Sequence, residues 1–334
     1  MPTVTLIEGD GIGPEVVGAA VRVVEAAGSE LAWDRRLAGL AALDAGLEVL
    51  PEETVASFEE TGVCLKGPLT TPVGSGFRSV NVAIRQRFDL YANVRPARTM
   101  IPGGRYEEVD LVVVRENTEG LYSGIEHYVD PDGDYAESIT VVTRPASERV
   151  IRFAFERAAE RPAAHLTLVH KANILKYTSG LFLEIGREIA GEYPGVAFDD
   201  RIIDNMAMQL VLDPSRFDVI VTTNMFGDIL SDLCAGLVGG LGLAPASNIG
   251  DGAAMFEAVH GSAPDIAGEG IANPAALILA AAALCEHVGQ EGVGRAVRDA
   301  VERTLRTGEV ATPDLGGEAT TEEFADAVID ALGG

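Results

Sequence analysis

Leu111-Val112-Val113-Val114-Arg115-Glu116-Asn117-Thr118-Glu119-Gly120 is the stretch on which the fold turns. Four consecutive apolar residues, three of them β-branched, read as a strand buried on both faces, the habit of parallel sheets covered by helices. The run then breaks into charged and polar residues. Three later runs repeat the pattern. Leu166 to Val169 leads into His170-Lys171-Ala172-Asn173, and Ile202 with Ile203 leads into Asp204-Asn205. Val219 to Val221 leads into Thr222-Thr223-Asn224 and then Gly227-Asp228. In open α/β sheets, ligands bind beyond the carboxyl ends of the strands. Four strand ends carrying Arg115, Lys171, Asp204 and Asp228 therefore predict an α/β fold with a shared cleft.

The amino end fits the same class. Val4 to Ile7 is a short apolar run ending in Glu8-Gly9-Asp10-Gly11-Ile12-Gly13-Pro14, and a helical pattern follows from Glu15 to Ala27 with Pro14 at its opening. The glycine spacing is G-x-G-x-G, not G-x-G-x-x-G, and no acidic residue closes a clear second strand. The stretch therefore departs from the classical dinucleotide fingerprint.

A second polar stretch, Gly76-Phe77-Arg78-Ser79-Val80-Asn81-Val82, runs on to Arg85. Ser79 suits an N-cap, and a helix N-terminus favours anions. Asn81 and Arg85 are four apart and share a helix face. Arg85, Arg95 and Arg115 present rigid forks that match carboxylates. The stretch reads either as a pocket for a small polycarboxylate or as a capped surface helix. Asp228 and Asp232 are likewise four apart, and like charges at that spacing disfavour a helix unless a cation relieves them. Oxygen-only ligands suit Mg²⁺ or Mn²⁺. The alternative is a solvated acidic face.

Composition bounds the rest. A chain of 334 residues, 47% hydrophobic, is long for one domain and predicts two. The longest apolar stretch, Ala275 to Cys285, is too short to cross a bilayer and reads as a buried helix. Cys64, Cys234 and Cys285 suggest reduced thiols in a cytoplasmic protein, and no signal-peptide pattern is visible. There are 51 acidic residues against 25 basic ones, for a formal net charge of −26. That surface would repel nucleic acid and anionic membranes. The only lysines are Lys66, Lys171 and Lys176. Acid excess with so little lysine suggests adaptation to high salt, or an acidic protein from a genome that favours arginine codons.

Several motifs together resemble the β-decarboxylating dehydrogenases, the family of isocitrate and 3-isopropylmalate dehydrogenases. They are Asp89-Leu90-Tyr91-Ala92-Asn93-Val94-Arg95-Pro96, Arg115-Glu116-Asn117-Thr118-Glu119-Gly120, Gly227-Asp228-Ile229-Leu230-Ser231-Asp232 and His260-Gly261-Ser262-Ala263-Pro264-Asp265-Ile266-Ala267-Gly268. The likeness runs from Glu8-Gly9-Asp10 to Thr312-Pro313-Asp314-Leu315-Gly316-Gly317. It implies an isopropylmalate dehydrogenase-like fold of two α/β domains with a central mixed sheet, not a classical Rossmann fold. The large cofactor-binding domain would comprise residues 1–98 and 244–334, and the small domain residues 99–243. Pro131-Asp132-Gly133, between Ile125–Val129 and Tyr135–Val142, would turn a β-hairpin arm, about 123–143, that clasps a partner.

The resemblance also implies roles. Arg85, Arg95 and Arg115 would hold substrate carboxylates. Ser79 and Asn81 stand where isopropylmalate enzymes place leucines, which implies isocitrate. Homoisocitrate and 3-isopropylmalate are the alternatives. Asp228 and Asp232, with Asp204 of the partner subunit, would bind Mg²⁺ or Mn²⁺. Lys171, also from the partner, would manage the hydroxyl proton, and Tyr122 would protonate the enolate left by decarboxylation. Asp265 would accept hydrogen bonds from the adenosine ribose and repel a 2′-phosphate. Relatives that prefer NADP tend to carry lysine and tyrosine at Asp265 and Ile266, so the implied cofactor is NAD. His260, Gly261, Ala263 and Asn273 would line the adenine pocket, and Thr70 would reach the nicotinamide side. A homodimer with shared active sites follows. The alternative of another class is a non-catalytic regulatory subunit, which would be expected to lose Tyr122, Lys171 or the three aspartates.

Overall fold

The computed structural model describes residues 1–70 and 79–333, so Gly76, Phe77 and Arg78 lie outside the described residues. From the amino end the chain forms β1 (Thr3–Ile7), α1 (Gly13–Ala26), β2 (Ala32–Arg36), α2 (Leu40–Asp44), α3 (Glu52–Thr61), β3 (Val63–Lys66), α4 (Val80–Arg87), β4 (Ala92–Arg98) and β5 (Asp110–Glu116). Then come β6 (Glu126–Tyr128), β7 (Ala136–Ser138), α5 (Arg144–Ala159), β8 (His165–His170), α6 (Thr178–Ala190), β9 (Ala197–Ile202), α7 (Ile203–Leu212), β10 (Val219–Thr222) and α8 (Asn224–Val238). The chain ends with β11 (Pro245–Ile249), β12 (Ala254–Ala258), α9 (Ala275–His287), α10 (Glu291–Thr307) and α11 (Thr321–Ala331).

Two compact units result. One comprises Met1–Phe88, Thr99–Glu107 and Val238–Gly334, the other Asp89–Arg98 and Glu108–Leu237. The sequence puts the crossings at 98 and 244. Packing groups β4 with the second unit, because Ala92 to Arg98 pairs antiparallel with Glu116 to Asp110 along its whole length.

In the first unit β2, β1, β3 and β12 are parallel neighbours, and β11 runs antiparallel to β12. Pro14 opens α1 in its first turn, where a missing N–H costs nothing. Helices α1, α9, α10 and α11 pack over Val4, Leu6, Leu65 and Phe256 in one core. Helix α9 is apolar on all sides and accordingly buried, as its sequence predicts. Each buried leucine there, such as Leu277, contributes roughly 2 kcal/mol. A reciprocal Thr320–Glu323 capping box starts α11.

Glycines at the β1–α1 junction have a different purpose from a phosphate cradle. Gly9 and Gly11 have φ of +80° and +60°, and a Cβ on them would lie 2.2 Å from the Pro68 carbonyl oxygen and 2.0 Å from that of Ser262. The loop is pressed against two neighbouring backbones, which only glycine permits.

In the second unit β5, β10, β8 and β9 are parallel neighbours. Their register aligns the ends: Thr222 lies opposite both Arg115 and Val169, and His170 lies opposite Ile202. The four polar tails therefore leave one edge of the sheet together. Ile203 is a correction to the sequence reading. Strand β9 stops at Ile202, and Ile203 opens α7. Asp204 thus sits in a first helical turn, where a carboxylate is favoured.

Strands β6 and β7 form the expected hairpin. The Val129 N–H donates to Tyr135 O at 2.7 Å and that of Ile139 to Ile125 O at 2.8 Å. Asp130 fastens the turn by accepting from the N–H groups of Asp134 and Tyr135. Ile125, Tyr128, Val129, Tyr135 and Ile139 are exposed along it. A lone two-stranded hairpin is marginal in water. Among the described residues no helix is long and apolar enough to cross a membrane, and all three cysteines are free and buried.

Candidate active site

Arg115 is the last residue but one of β5, with its side chain 1% exposed. Its Nε and Nη2 donate to Asn224 Oδ1 at 3.1 and 2.8 Å, and its Nη1 donates to Asp228. Its stem lies against α8 at Gly227, where a Cβ would come within 2.5 Å of Arg115 Cγ. Glycine before Asp228 is thus required by the arginine it faces. Arg95, on β4, donates from Nε to Asn93 at 2.7 Å and from Nη1 to Ser231 at 2.7 Å and Asp232 at 3.2 Å. Its Nη2 lies 3.4 Å from Asp228. Tyr122, in a 3-10 turn, donates to the other Asp228 oxygen, and the Arg115 guanidinium sits 5.0 Å from the Tyr122 ring centroid.

Arg95, Arg115, Tyr122, Asp228 and Asp232 are thus brought together. Partial burial holds the Asp232 carboxyl above its ordinary range; Arg95 opposes this and Asp228 adds to it. Burial and the bond to Asp228 hold the Tyr122 hydroxyl protonated beyond its usual range. Two carboxylates on one helix face, one of them disfavoured as an anion, make an oxygen donor pair suited to a hard divalent cation. Asp204 is elsewhere in the unit, paired with Lys171 at 2.5 Å. Among the described residues of one chain, no three acidic, histidine or cysteine side chains gather as a metal site.

Arg85 belongs to a second cluster. It lies on α4, whose N-cap is Ser79, although the Ser79 hydroxyl makes no capping bond. Arg85 Nη2 meets Glu257 Oε1 at 2.9 Å, and Lys66 Nζ meets Oε2 at 2.8 Å. Asn248 Nδ2 donates to the same carboxylate at 2.8 Å. Arg85 Nε and Asn81 Oδ1, one turn apart, are buried and have no partner among the described residues. A buried polar atom needs a partner, which water or a bound molecule can supply. Sequence reasoning missed Glu257 and Asn248. Lys66 stood out only by its rarity.

Burial alone would lift the Glu257 carboxyl, yet the charges of Lys66 and then Arg85 hold it far below the carboxylate range. A folded-state value below the unfolded one of about 4.3 adds stability above that pH and loses it as acid is added. Glu257→Gln is therefore expected to lower Tm most at neutral pH, with the gap to wild type narrowing below about pH 4. Thermal melts at both pH values check this. An equal gap at both would mean that the ion triad is not the source of the stability.

The sequence-predicted cofactor residues lie in the first unit. The Thr70 hydroxyl meets Ser262 Oγ at 2.6 Å, and its N–H donates to Asp10 Oδ2 at 2.7 Å. His260 Nδ1 donates to Gly261 O at 3.0 Å, leaving a buried Nε2 with no partner among the described residues. Burial pushes the His260 imidazole toward its neutral form. Nε2 is then an acceptor for an amino group. Ala263 has a positive φ of 39°, Asp265 is exposed, and Ile266 packs at the edge of the core. Asn273 engages its amide inside the protein, accepting from Ala275 N and donating to Asp314 at 3.0 Å.

An α/β chain with arginines buried against carboxylates, an acidic pair suited to a cation and a lysine at a strand end has the features of a protein that binds a small polycarboxylate with a hard cation. The chain matches the isocitrate/isopropylmalate dehydrogenase family over residues 3–328 and belongs to that family of oxidoreductases. It is 52% identical over 333 residues to the isocitrate/homoisocitrate dehydrogenase of Thermus thermophilus, covering 98% of each chain. It is 46% identical over 329 residues to a mitochondrial regulatory subunit of isocitrate dehydrogenase (NAD) from Dictyostelium discoideum, covering 98% of this chain and 90% of that one. A crystal structure of isocitrate dehydrogenase from Methylococcus capsulatus superposes with a TM-score of 0.95 at 56% identity, covering 99% of both chains.

Proposed function

We propose that the protein catalyses the NAD-dependent oxidative decarboxylation of isocitrate: isocitrate and NAD⁺ give 2-oxoglutarate, CO₂ and NADH. The observation that carries the substrate is the start of α4. Ser79 and Asn81 precede Arg85, and the buried Arg85 Nε is a donor with no partner among the described residues, free to meet a carboxylate. A leucine there would leave a carboxylate unsolvated at a cost of several kcal/mol, on the order of 2–7 for a polar group alone. Arg85, Arg95 and Arg115 hold the substrate carboxylates by bidentate contacts.

Asp228 and Asp232, with Asp204 of the partner subunit, would hold a divalent cation, Mg²⁺ or Mn²⁺, which would supply Lewis-acid polarisation of the substrate hydroxyl. Lys171 accepts the hydroxyl proton as the alcohol is oxidised. Tyr122, kept protonated by burial and its bond to Asp228, delivers a proton to carbon after CO₂ has left. Asp265 favours a free 2′-hydroxyl on the adenosine ribose, hence NAD. His260 Nε2 offers the adenine amino group an acceptor, and Gly261, Ala263, Ile266, Asn273 and Thr70 line the remaining cofactor surface.

The protein works as a homodimer in this reading. The exposed apolar hairpin is the clasp, and Lys171 with Asp204 acts in the site of the other copy. Homoisocitrate is the second reading, favoured by the Thermus thermophilus relative, whose name carries both substrates. A regulatory role, which the name of the Dictyostelium discoideum relative carries, is disfavoured because Tyr122, Lys171, Asp204, Asp228 and Asp232 are all present.

NADH formation with Mg²⁺ and each of D-isocitrate, D-homoisocitrate and 3-isopropylmalate tests the proposal. Isocitrate with NAD is expected to give the highest kcat/KM, and EDTA to stop the reaction. Preference for another acid would overturn the reading of Ser79 and Asn81. No turnover of any of them would return the regulatory role.

A further inference from the structure

We infer that His170 is a positioning residue for Lys171, acting through the peptide unit that joins Lys171 to Ala172. The inference rests on the proposed role of Lys171 in moving the hydroxyl proton.

His170 is the last residue of β8, 5% exposed. Its Nδ1 lies 3.0 Å from the backbone nitrogen of Ala172. A backbone N–H can only donate, so Nδ1 carries a lone pair and the ring proton is on Nε2. Nε2 lies 3.1 Å from Asp200 Oδ1, the acceptor this tautomer needs. Asp200 sits on the neighbouring strand β9 and is held by Arg187 of α6 through its other oxygen at 3.1 Å. The imidazole is thus clamped between a fixed carboxylate and one specific N–H.

That N–H belongs to the same peptide plane as the Lys171 carbonyl. The carbonyl is also pinned, accepting from the N–H groups of Ile174 and Leu175 at 3.0 and 2.9 Å. With both polar ends bound, the plane cannot rotate, and the Cα–Cβ direction of Lys171 is set. Lys171 follows a rigid strand but lies in a loop, which alone would leave its amine poorly aimed. Misplacement by about 1 Å can cost about a hundredfold in rate.

Two substitutions separate the two ring nitrogens. In His170→Asn the amide oxygen falls near Nδ1 and can still accept from Ala172, while the link to Asp200 is lost. In His170→Gln the amide nitrogen reaches toward Asp200, while the acceptor for Ala172 is lost. The inference expects His170→Gln to lower kcat at least about tenfold with KM for isocitrate and NAD nearly unchanged, and His170→Asn to restore most of it. Equal kcat in the two variants, or losses that follow Tm, would overturn it, because a merely structural histidine has no reason to distinguish them. Lys171→Ala is measured alongside. If that variant keeps its activity, the proton role of Lys171 fails, and the rate of reductive methylation at Lys171 then decides the positioning alone. The rate must change in His170→Gln but not in His170→Asn; the same rate in both overturns the inference.

Discussion

Asp228→Asn is expected to lower kcat about a thousandfold and to destabilise the protein at the same time. The rate effect follows from the proposed cation. Losing a charged ligand removes several kcal/mol of stabilisation of developing charge, and about 4 kcal/mol corresponds to a thousandfold. The stability effect follows from the arginines. Arg115 and Arg95 are 1% and 8% exposed, and both lean on the Asp228 carboxylate. An amide still accepts their hydrogen bonds but carries no charge. Breaking a buried ion pair costs about 3–5 kcal/mol, and since the Asp228 side chain is 34% exposed a cost of roughly 2 kcal/mol is expected. Steady-state rates and melts with and without Mg²⁺ check both effects. Wild type should gain Tm on addition of Mg²⁺ through linkage, and the variant should not. A variant within tenfold of wild-type rate, or one that keeps the Mg²⁺ shift, would remove Asp228 from the metal site.

The strands of the second unit were legible because a strand buried on both faces has no polar residue to interrupt it. Their register then carries Arg115, Thr222 and His170 to one edge, so the candidate site was legible as far as its strand ends. Ile203 was misread because two adjacent isoleucines satisfy a strand and a helix start equally well. Only the turn of the backbone after Ile202 separates them. The membership of β4 could not be read locally either, since it depends on pairing with β5 along Ala92 to Arg98. Glu257 was hidden for a related reason. It is the one charge in Ala254-Met255-Phe256-Glu257-Ala258, and Arg85 lies 172 positions away. Spacing rules see neighbours on one element, whereas this carboxylate is explained by β3, α4 and β11 converging on it. The separation of the aspartates within one chain was not legible from their order. Asp228 and Asp232 share a helix by spacing, but nothing in the order of residues says that Asp204 stands with Lys171 instead.

That division gives the second large effect. Tyr122→Phe and Lys171→Ala chains, each nearly inactive alone, are expected to recover activity when combined. Tyr122 belongs with Asp228 and Arg115, and Lys171 with Asp204. If each active site takes the first group from one copy and the second from the other, a mixed dimer holds one doubly defective site and one intact site. Random pairing in a twofold dimer makes half of the dimers mixed, so about a quarter of all sites are restored. The recovered fraction should turn over with wild-type KM for isocitrate, because every contact in it is native. Coexpression with two affinity tags yields the mixed species without relying on exchange between dimers. Two controls fix the meaning of the result. Tyr122→Phe combined with Asp228→Asn should recover nothing, since both defects fall on the same side of the division. Lys171→Ala combined with Asp204→Asn should recover nothing for the same reason. Isolated mixed dimers as inactive as their parents would show that each chain builds its site alone, and the proposed assignment of Lys171 and Asp204 to the partner's site would be wrong.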